Sequence, residues 1–124
     1  GDGNGSAEIF QQVQSFLKGG PGDGYASAET VGLVLNLIER QQIEELTIYP
    51  NPATTTTTIE LPVEFRDLMF HILNIKGQSN YQKRLNNRNK GKIVIDVSSF
   101  ESGTYLVIVD EKTGNHQYGK LIKQ

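Results

Sequence analysis

From Leu46 onwards, short runs of β-branched and aromatic residues alternate with turns rich in glycine, proline and asparagine. Such a pattern is typical of short strands joined by tight turns. Because each strand of this kind buries only one face, two sheets must cover each other. The sequence therefore predicts a mainly β fold, a seven-stranded sandwich, with strands at residues 46–49, 54–61, 68–75, 79–85, 92–97, 104–109 and 118–123.

Two alternating runs predict which side chains share a face of their strand. Residues 92–97 place Ile93, Ile95 and Val97 on one face. Residues 104–109 are apolar on both faces, with Tyr105, Val107 and Val109 on one side and Leu106 and Ile108 on the other. Side chains of a strand alternate between its two faces, so the members of each set are expected to lie on the same side of their sheet.

The first third of the chain contains a repeat. Gly1–Glu8 recurs 21 residues later as Gly22–Glu29, and the apolar residues that follow align without a gap. Ser6 and Ser27 are predicted helix N-caps, and apolar residues follow each at helical spacing. Residues 31–37 also alternate as a strand would, but the length of the segment and the polar tail 39–42 favour a helix. We therefore expect a short two-helix segment before the sandwich.

The tandem Asp/Gly/Asn loops of residues 1–40 resemble dockerin modules, a likeness that implies calcium and a cohesin partner. A calcium loop of this kind needs a carboxylate at its twelfth position. That position is Val13 in the first copy and Val34 in the second. The favoured interpretation is a capped helix pair, which ends a preceding domain or packs on the sandwich, and no cofactor is predicted.

Charge separates the same two parts of the chain. Residues 1–45 carry seven acidic and two basic residues, whereas residues 46–124 carry ten basic and seven acidic residues. Such asymmetry predicts two units, a helical segment 1–45 and a β domain 46–124.

Few residues suggest chemistry. The chain has no cysteine, and it contains no nucleophile elbow, phosphate-binding loop or zinc-protease motif. His71 is expected on a solvent-exposed face or edge, and His116 beside a turn. Asp96, Glu101 and Asp110 are expected to be solvated turn residues, with a weak calcium site as the alternative. The sequence therefore predicts that the chain is not an enzyme and holds no metal.

A basic stretch without acidic residues runs through the middle of the β domain: Lys76, Lys83, Arg84, Arg88, Lys90 and Lys92. We interpret it as an exposed edge strand, where lysines block aggregation. Binding of nucleic acid is disfavoured, and attraction to anionic glycolipid headgroups is a third interpretation. No apolar run approaches the roughly 20 residues that span a bilayer.

Four blocks occur in an order more specific than that of a general sandwich. They are Ile48–Ala53, Ile72–Gln78, Ile95–Val109 and Gly119–Gln124. In this order they resemble the C-terminal sorting domain of type IX secretion. One departure is the run of threonines after Ala53, where that family usually has a polar turn with an acid.

The resemblance implies an immunoglobulin-like, non-catalytic domain that directs a cargo protein across the outer membrane. It implies passage through the periplasm and delivery to the cell surface or the extracellular space. The implied partners are the outer-membrane secretion machinery and its sorting peptidase, with attachment of the cargo to lipopolysaccharide as a further implication. The candidate sorting-signal residues are Pro50, Asn51, Pro52, Gly77, Gly103, Tyr105, Lys120, Leu121, Ile122 and Lys123.

The alternative hypothesis is an adhesive module that binds glycan or protein. It requires an exposed aromatic cluster, because sugar sites often stack on aromatic faces. The candidates for such a cluster are Tyr25, Tyr49, Tyr81 and Tyr118, and the chain has no tryptophan.

Overall fold

The computed structural model describes residues 27–61, 67–86, 91–111 and 116–124. The first copy of the repeat, with the first predicted helix and Tyr25, lies outside these residues. Within them there is one helix and there are seven strands, close to the predicted positions. The elements are α1 (Ala28–Glu39), β1 (Ile48–Tyr49), β2 (Thr56–Glu60), β3 (Asp67–Asn74), β4 (Ser79–Asn86), β5 (Lys92–Asp96), β6 (Gly103–Glu111) and β7 (His116–Lys123).

The second predicted helix is confirmed as α1. Ser27 is its N-cap, because the Ser27 Oγ accepts a hydrogen bond from the Thr30 N–H at 3.0 Å. Glu29 lies in the first turn, where a negative charge is favoured by the helix dipole. Residues 31–37 are therefore helical, and the strand interpretation of their alternation is wrong.

The strands form two antiparallel sheets. One has four strands in the order β4-β3-β6-β7, and the other has three in the order β1-β2-β5. The main core lies between them, and it includes Ile93, Ile95 and Val97 from one sheet and Tyr105, Val107 and Val109 from the other. Each of these sets shares one face, as predicted, and the structure shows that this face is the inner one.

A second apolar layer covers the outer face of the four-stranded sheet. Here α1 contributes Val31, Val34 and Ile38, which pack with four residues of the sheet, Leu73, Leu106, Ile108 and Tyr118. This layer explains why β6 is apolar on both faces, since the helix buries the face turned away from the main core. The described part of residues 1–45 thus packs on the sandwich.

His71 corrects one expectation. It lies on β3, an inner strand of the four-stranded sheet, and only 6% of its surface is exposed. The prediction of a solvent-exposed position was wrong. The alternation correctly placed His71 opposite the core-facing Phe70 and Ile72, but the outer face of this sheet is itself apolar and covered.

A seam along the terminal strand

Strand β7 is the edge of the four-stranded sheet, and residues 45–53 run along its free side. The Leu46 N–H donates to the Tyr118 carbonyl at 2.9 Å. Next along the edge, the Lys120 N–H donates to the Glu45 carboxylate at 3.1 Å. Parallel bridges join Glu45 to Tyr118 and Ala53 to Lys123. We call this contact between residues 45–53 and the edge of β7 the seam.

The centre of the seam is the side chain of Asn51. Its Nδ2 donates to the Lys120 carbonyl at 2.7 Å, and its Oδ1 accepts from the Ile122 N–H at 2.8 Å. An asparagine amide has the same donor and acceptor as a peptide group, so Asn51 substitutes for one residue of a neighbouring strand. The peptide bonds that precede the two prolines beside it, Tyr49–Pro50 and Asn51–Pro52, are both cis.

The seam ends at Ala53. Its N–H donates to the Ile122 carbonyl at 2.8 Å, and its carbonyl accepts from the Gln124 N–H at 2.9 Å. Six hydrogen bonds thus run without interruption from the Tyr118 carbonyl to the Gln124 N–H. Unpaired strand edges promote association with other chains, and the seam closes this one.

Replacing Asn51 with alanine should lower the free energy of unfolding by about 1–2 kcal/mol. The change removes two hydrogen bonds, each with a net contribution of about 1 kcal/mol, and water can hydrate the exposed groups that are left. Urea denaturation followed by circular dichroism measures the change. The matched control is Asn80→Ala on β4, an exposed asparagine that should be nearly neutral. Equal losses in the two variants would show that Asn51 has no special part in the seam.

Gly119 allows the seam to form, although it was not among the predicted site residues. A Cβ at this position would lie 2.8 Å from Ile48 Cδ1 and 3.1 Å from Leu46 Cβ. Only glycine therefore permits residues 46–48 to approach β7 this closely. A signal was present in the sequence, because an isolated glycine inside an alternating strand often marks a close backbone approach.

The four terminal candidates have different environments. Leu121 is fully buried in the main core. Lys120 Nζ lies 2.9 Å from Glu39 Oε1 and so connects β7 to the end of α1. Ile122 and Lys123 are half-buried, and Lys123 Nζ donates to the Gln124 carbonyl at 3.0 Å.

The remaining predicted candidates lie in or beside turns. The Tyr105 hydroxyl donates to the Glu101 carbonyl at 2.6 Å, as in the tyrosine corner of sandwich folds. Burial raises the pKa of this hydroxyl, and Glu101 raises it further. Gly77 adopts a φ of +86°, which glycine tolerates in a tight turn. Gly103 begins β6 opposite Lys123 and lines an open groove with Tyr105.

The carboxylates considered as a calcium site do not converge. Asp96 accepts hydrogen bonds from the Ser98 N–H and hydroxyl, which lower its pKa. Asp110 pairs with His116 at 2.8 Å, near the end of β6 that is remote from Glu101. In the part of the chain that the structure describes, no group of three or more His, Asp or Glu side chains is arranged to hold a metal.

The tyrosines do not form a common surface. Tyr118 is 3% exposed, and burial raises its pKa to about 12, with Asp110 as a second cause. Tyr81 packs edge-on against Phe70, with ring centroids 5.7 Å apart. Tyr49 is exposed at 43%. Among the tyrosines in the described ranges, no exposed cluster exists, which argues against the adhesive alternative.

Part of the basic stretch lies on the opposite edge of the same sheet. Strand β4 is an edge strand, and Lys83 and Arg84 on it are exposed. The edge-strand interpretation is confirmed for these two residues. Lys76 lies in the turn before β4, and Lys92 begins β5 at the edge of the other sheet. Arg88 and Lys90 lie outside the described residues.

Together, the two sheets define an immunoglobulin-like β-sandwich, in which the seam closes the edge of the last strand. A crystal structure of a DUF3244 family protein with an immunoglobulin-like β-sandwich fold, from Bacteroides vulgatus ATCC 8482, is similar. It matches with a TM-score of 0.55 and 19% identity, over 64% of this chain and 83% of that one. The crystal structure of CHIR-AB1 matches with a TM-score of 0.41 and 15% identity, over 64% of this chain and 96% of that one.

The chain belongs to the secretion system C-terminal sorting domain family, whose model matches residues 47–124. It is therefore a C-terminal sorting signal of type IX secretion, which interacts with the secretion machinery and directs export to the cell surface or extracellular space. No curated protein matches the chain. In the described ranges, no helix is long and apolar enough to cross a membrane.

Proposed function

We propose that the secretion machinery recognises the seam as a folded unit and that the domain itself is non-catalytic. The observation that carries this proposal is the hydrogen bonding of Asn51 to Lys120 and Ile122, about 70 positions along the chain. The opening and terminal blocks of the family resemblance thereby meet on one surface. A receptor that binds there contacts both blocks at once.

Exposure separates the candidates into two roles. Pro50 and Pro52 are exposed and Lys123 is half-buried, so these side chains are available to a receptor. Leu121 is buried, and it acts by holding β7 in place. Gly77, Gly103 and Tyr105 shape the turns at the end of the sandwich, and we assign them a positioning role.

We further propose that residues 46–124 form the sorting unit and that residues 1–45 are a separate segment. The family match begins at residue 47, which supports this division. In this proposal, the role of α1 is to cover the apolar outer face of the four-stranded sheet. The dockerin-like resemblance of residues 1–40 stays a prediction from the sequence.

The same proposal includes the later steps of sorting. A sorting peptidase would separate the domain from a cargo, and the cargo would be released or joined to lipopolysaccharide. Family membership supports these steps. Cleavage would be seen as loss of the domain from the cargo. Attachment to lipopolysaccharide would be seen as a shift in the gel mobility of the surface-exposed cargo.

The test is export of a reporter that carries the complete 124-residue chain at its C-terminus, in a host with type IX secretion. We expect the reporter at the cell surface. Lys123→Glu should reduce the surface fraction about tenfold, the effect of about 1.4 kcal/mol lost in receptor binding. The matched control is Lys83→Glu on β4, which should leave export unchanged because this exposed lysine lies on the opposite sheet edge.

Two results would contradict the proposal. Retention of an intact, folded fusion in the periplasm would argue against the sorting role of the chain. Equal export of the Lys123→Glu and Lys83→Glu fusions would leave the sorting role intact but would remove the seam as the recognised surface. Circular dichroism of the purified variants must first show that both are folded.

A further inference from the structure

Strand β5 has a free edge in the three-stranded sheet. It pairs with β2 on one side, and the sheet order places it last. Two hydrogen bonds show which residues of β5 direct their backbone groups towards β2. The Val97 N–H donates to the Thr55 carbonyl, and the Leu61 N–H donates to the Gly91 carbonyl. Odd-numbered residues of this strand therefore bond to β2, and the backbone groups of Lys92, Val94 and Asp96 point away from it. Within the described residues, no strand pairs with that side.

The other sheet edges carry more protection than β5, where Lys92 is the single exposed basic residue. The seam closes β7, and β4 has exposed basic residues and a register irregularity opposite Ile72 and Leu73. Strand β1 is two residues long and is followed by Pro50. By contrast, β5 has five residues without proline, and Val94 at its centre is 61% exposed. Natural proteins rarely leave an edge with so little protection unless it has a partner.

The sequence of β5 is complementary to itself. Its outward side chains are basic Lys92, apolar Val94 and acidic Asp96. An antiparallel copy centred on Val94 places Lys92 opposite Asp96 at both ends and Val94 opposite Val94. Hydrogen bonds from Ser98 lower the pKa of Asp96, which keeps it charged at neutral pH. Like charges never face each other in this register.

We propose that β5 is an interface for a second copy of this chain, which pairs antiparallel about a two-fold axis at Val94. The backbone groups of Lys92, Val94 and Asp96 then bond to their counterparts, because every second residue forms a hydrogen-bonded pair. The two three-stranded sheets become one continuous six-stranded sheet. Such a self-complementary contact closes after two copies and does not propagate.

Sedimentation equilibrium of the complete chain tests the proposal, over concentrations from about 10 μM to about 1 mM, where a small interface is expected to associate. We expect a concentration-dependent dimer. Val94→Pro should weaken dimerisation at least tenfold, because proline removes the N–H that faces the second copy. The ladder with β2 does not use that N–H, so the variant should keep its fold by circular dichroism. Val94→Thr is the matched control, since it keeps both the N–H and the β-branched shape.

A second pair of variants tests the register. Lys92→Asp and Asp96→Lys each place like charges opposite each other in a homodimer, and each should weaken association. An equal mixture of the two restores opposite charges at both ends, and it should form a heterodimer as tight as the original dimer to within a few-fold. Specific pairing of β5 predicts this rescue, whereas a non-specific contact does not.

Three results would overturn the proposal. One is a chain that stays monomeric throughout the concentration range, which would leave the edge for a strand of another protein. Another is unchanged association of a folded Val94→Pro variant. The third is a mixture of the charge variants that dimerises no better than either variant alone.

Discussion

Acidification to about pH 4 is expected to lower the free energy of unfolding by about 3 kcal/mol through His71 alone. Burial lowers the pKa of this imidazole from 6.5 to about 4 in the folded chain. Between these values the unfolded chain binds a proton that the folded chain does not. Stability from this group is therefore complete above the unfolded pKa, and it falls as the pH drops from about 6.5 to about 4.

The surroundings of His71 support this direction. Its direct cross-strand neighbours are Gln82 on β4 and Ile108 on β6, and neither ionises. The nearest acid along the outer face of β6 is Asp110, which already pairs with His116. In addition, the Nδ1 of His71 is buried without a hydrogen-bond partner. A charge at this position would therefore gain little compensation from its neighbours.

Urea denaturation at a series of pH values measures the effect. The control is His71→Leu, which fills the site with an apolar side chain of similar size and removes the titrating group. Acidic side chains also titrate in this range, so the informative quantity is the difference between wild type and variant. If stability falls with pH by the same amount in both, His71 is not the group that senses acid.

Replacing Gly119 with valine should lower the free energy of unfolding by about 3 kcal/mol, the upper part of the range for overpacked cores. The new side chain would collide with Ile48 and Leu46. The end of the Ile48 side chain can move, but the Leu46 Cβ is fixed to a backbone that hydrogen-bonds to β7. Gly119→Ala should cost less, about 1 kcal/mol.

Gly32 provides the matched control. It is an exposed glycine within α1, and a Cβ there meets nothing within 4 Å. Gly32→Ala should raise the free energy of unfolding by about 1 kcal/mol, because alanine is the better helix former. Adding Ile48→Ala to Gly119→Val should recover part of the loss, since it vacates the space that valine needs. Purely additive effects would show that the two positions do not meet.

The sandwich could be predicted largely because its signals are local. Alternation in residues 92–97 and 104–109 predicted which side chains of β5 and β6 share a face. Ser27 marked the start of α1 for the same reason, since a helix cap involves residues that are close in the sequence. Each of these features depends on neighbours within a few positions.

The seam could not be predicted because its partners are distant in the chain. The sequence placed Asn51 in a block of the family resemblance, and nothing near it in the chain indicated that its side chain bridges two residues of β7. Gly119 inside a strand signalled a close backbone approach, but the sequence did not indicate that Leu46 and Ile48 are the residues that approach. The exposure of His71 was misjudged because alternation assigns a face but not what covers that face.

The seam is present only when the domain is folded and both of its ends are intact. The six hydrogen bonds need both the opening segment and the terminal strand, and neither alone presents that surface. A receptor that binds the seam would reject chains clipped at either end of the domain, or chains in which the two ends have not yet met. A single binding event would then both recognise the sorting signal and select for folded, intact domains, so that only folded chains are exported.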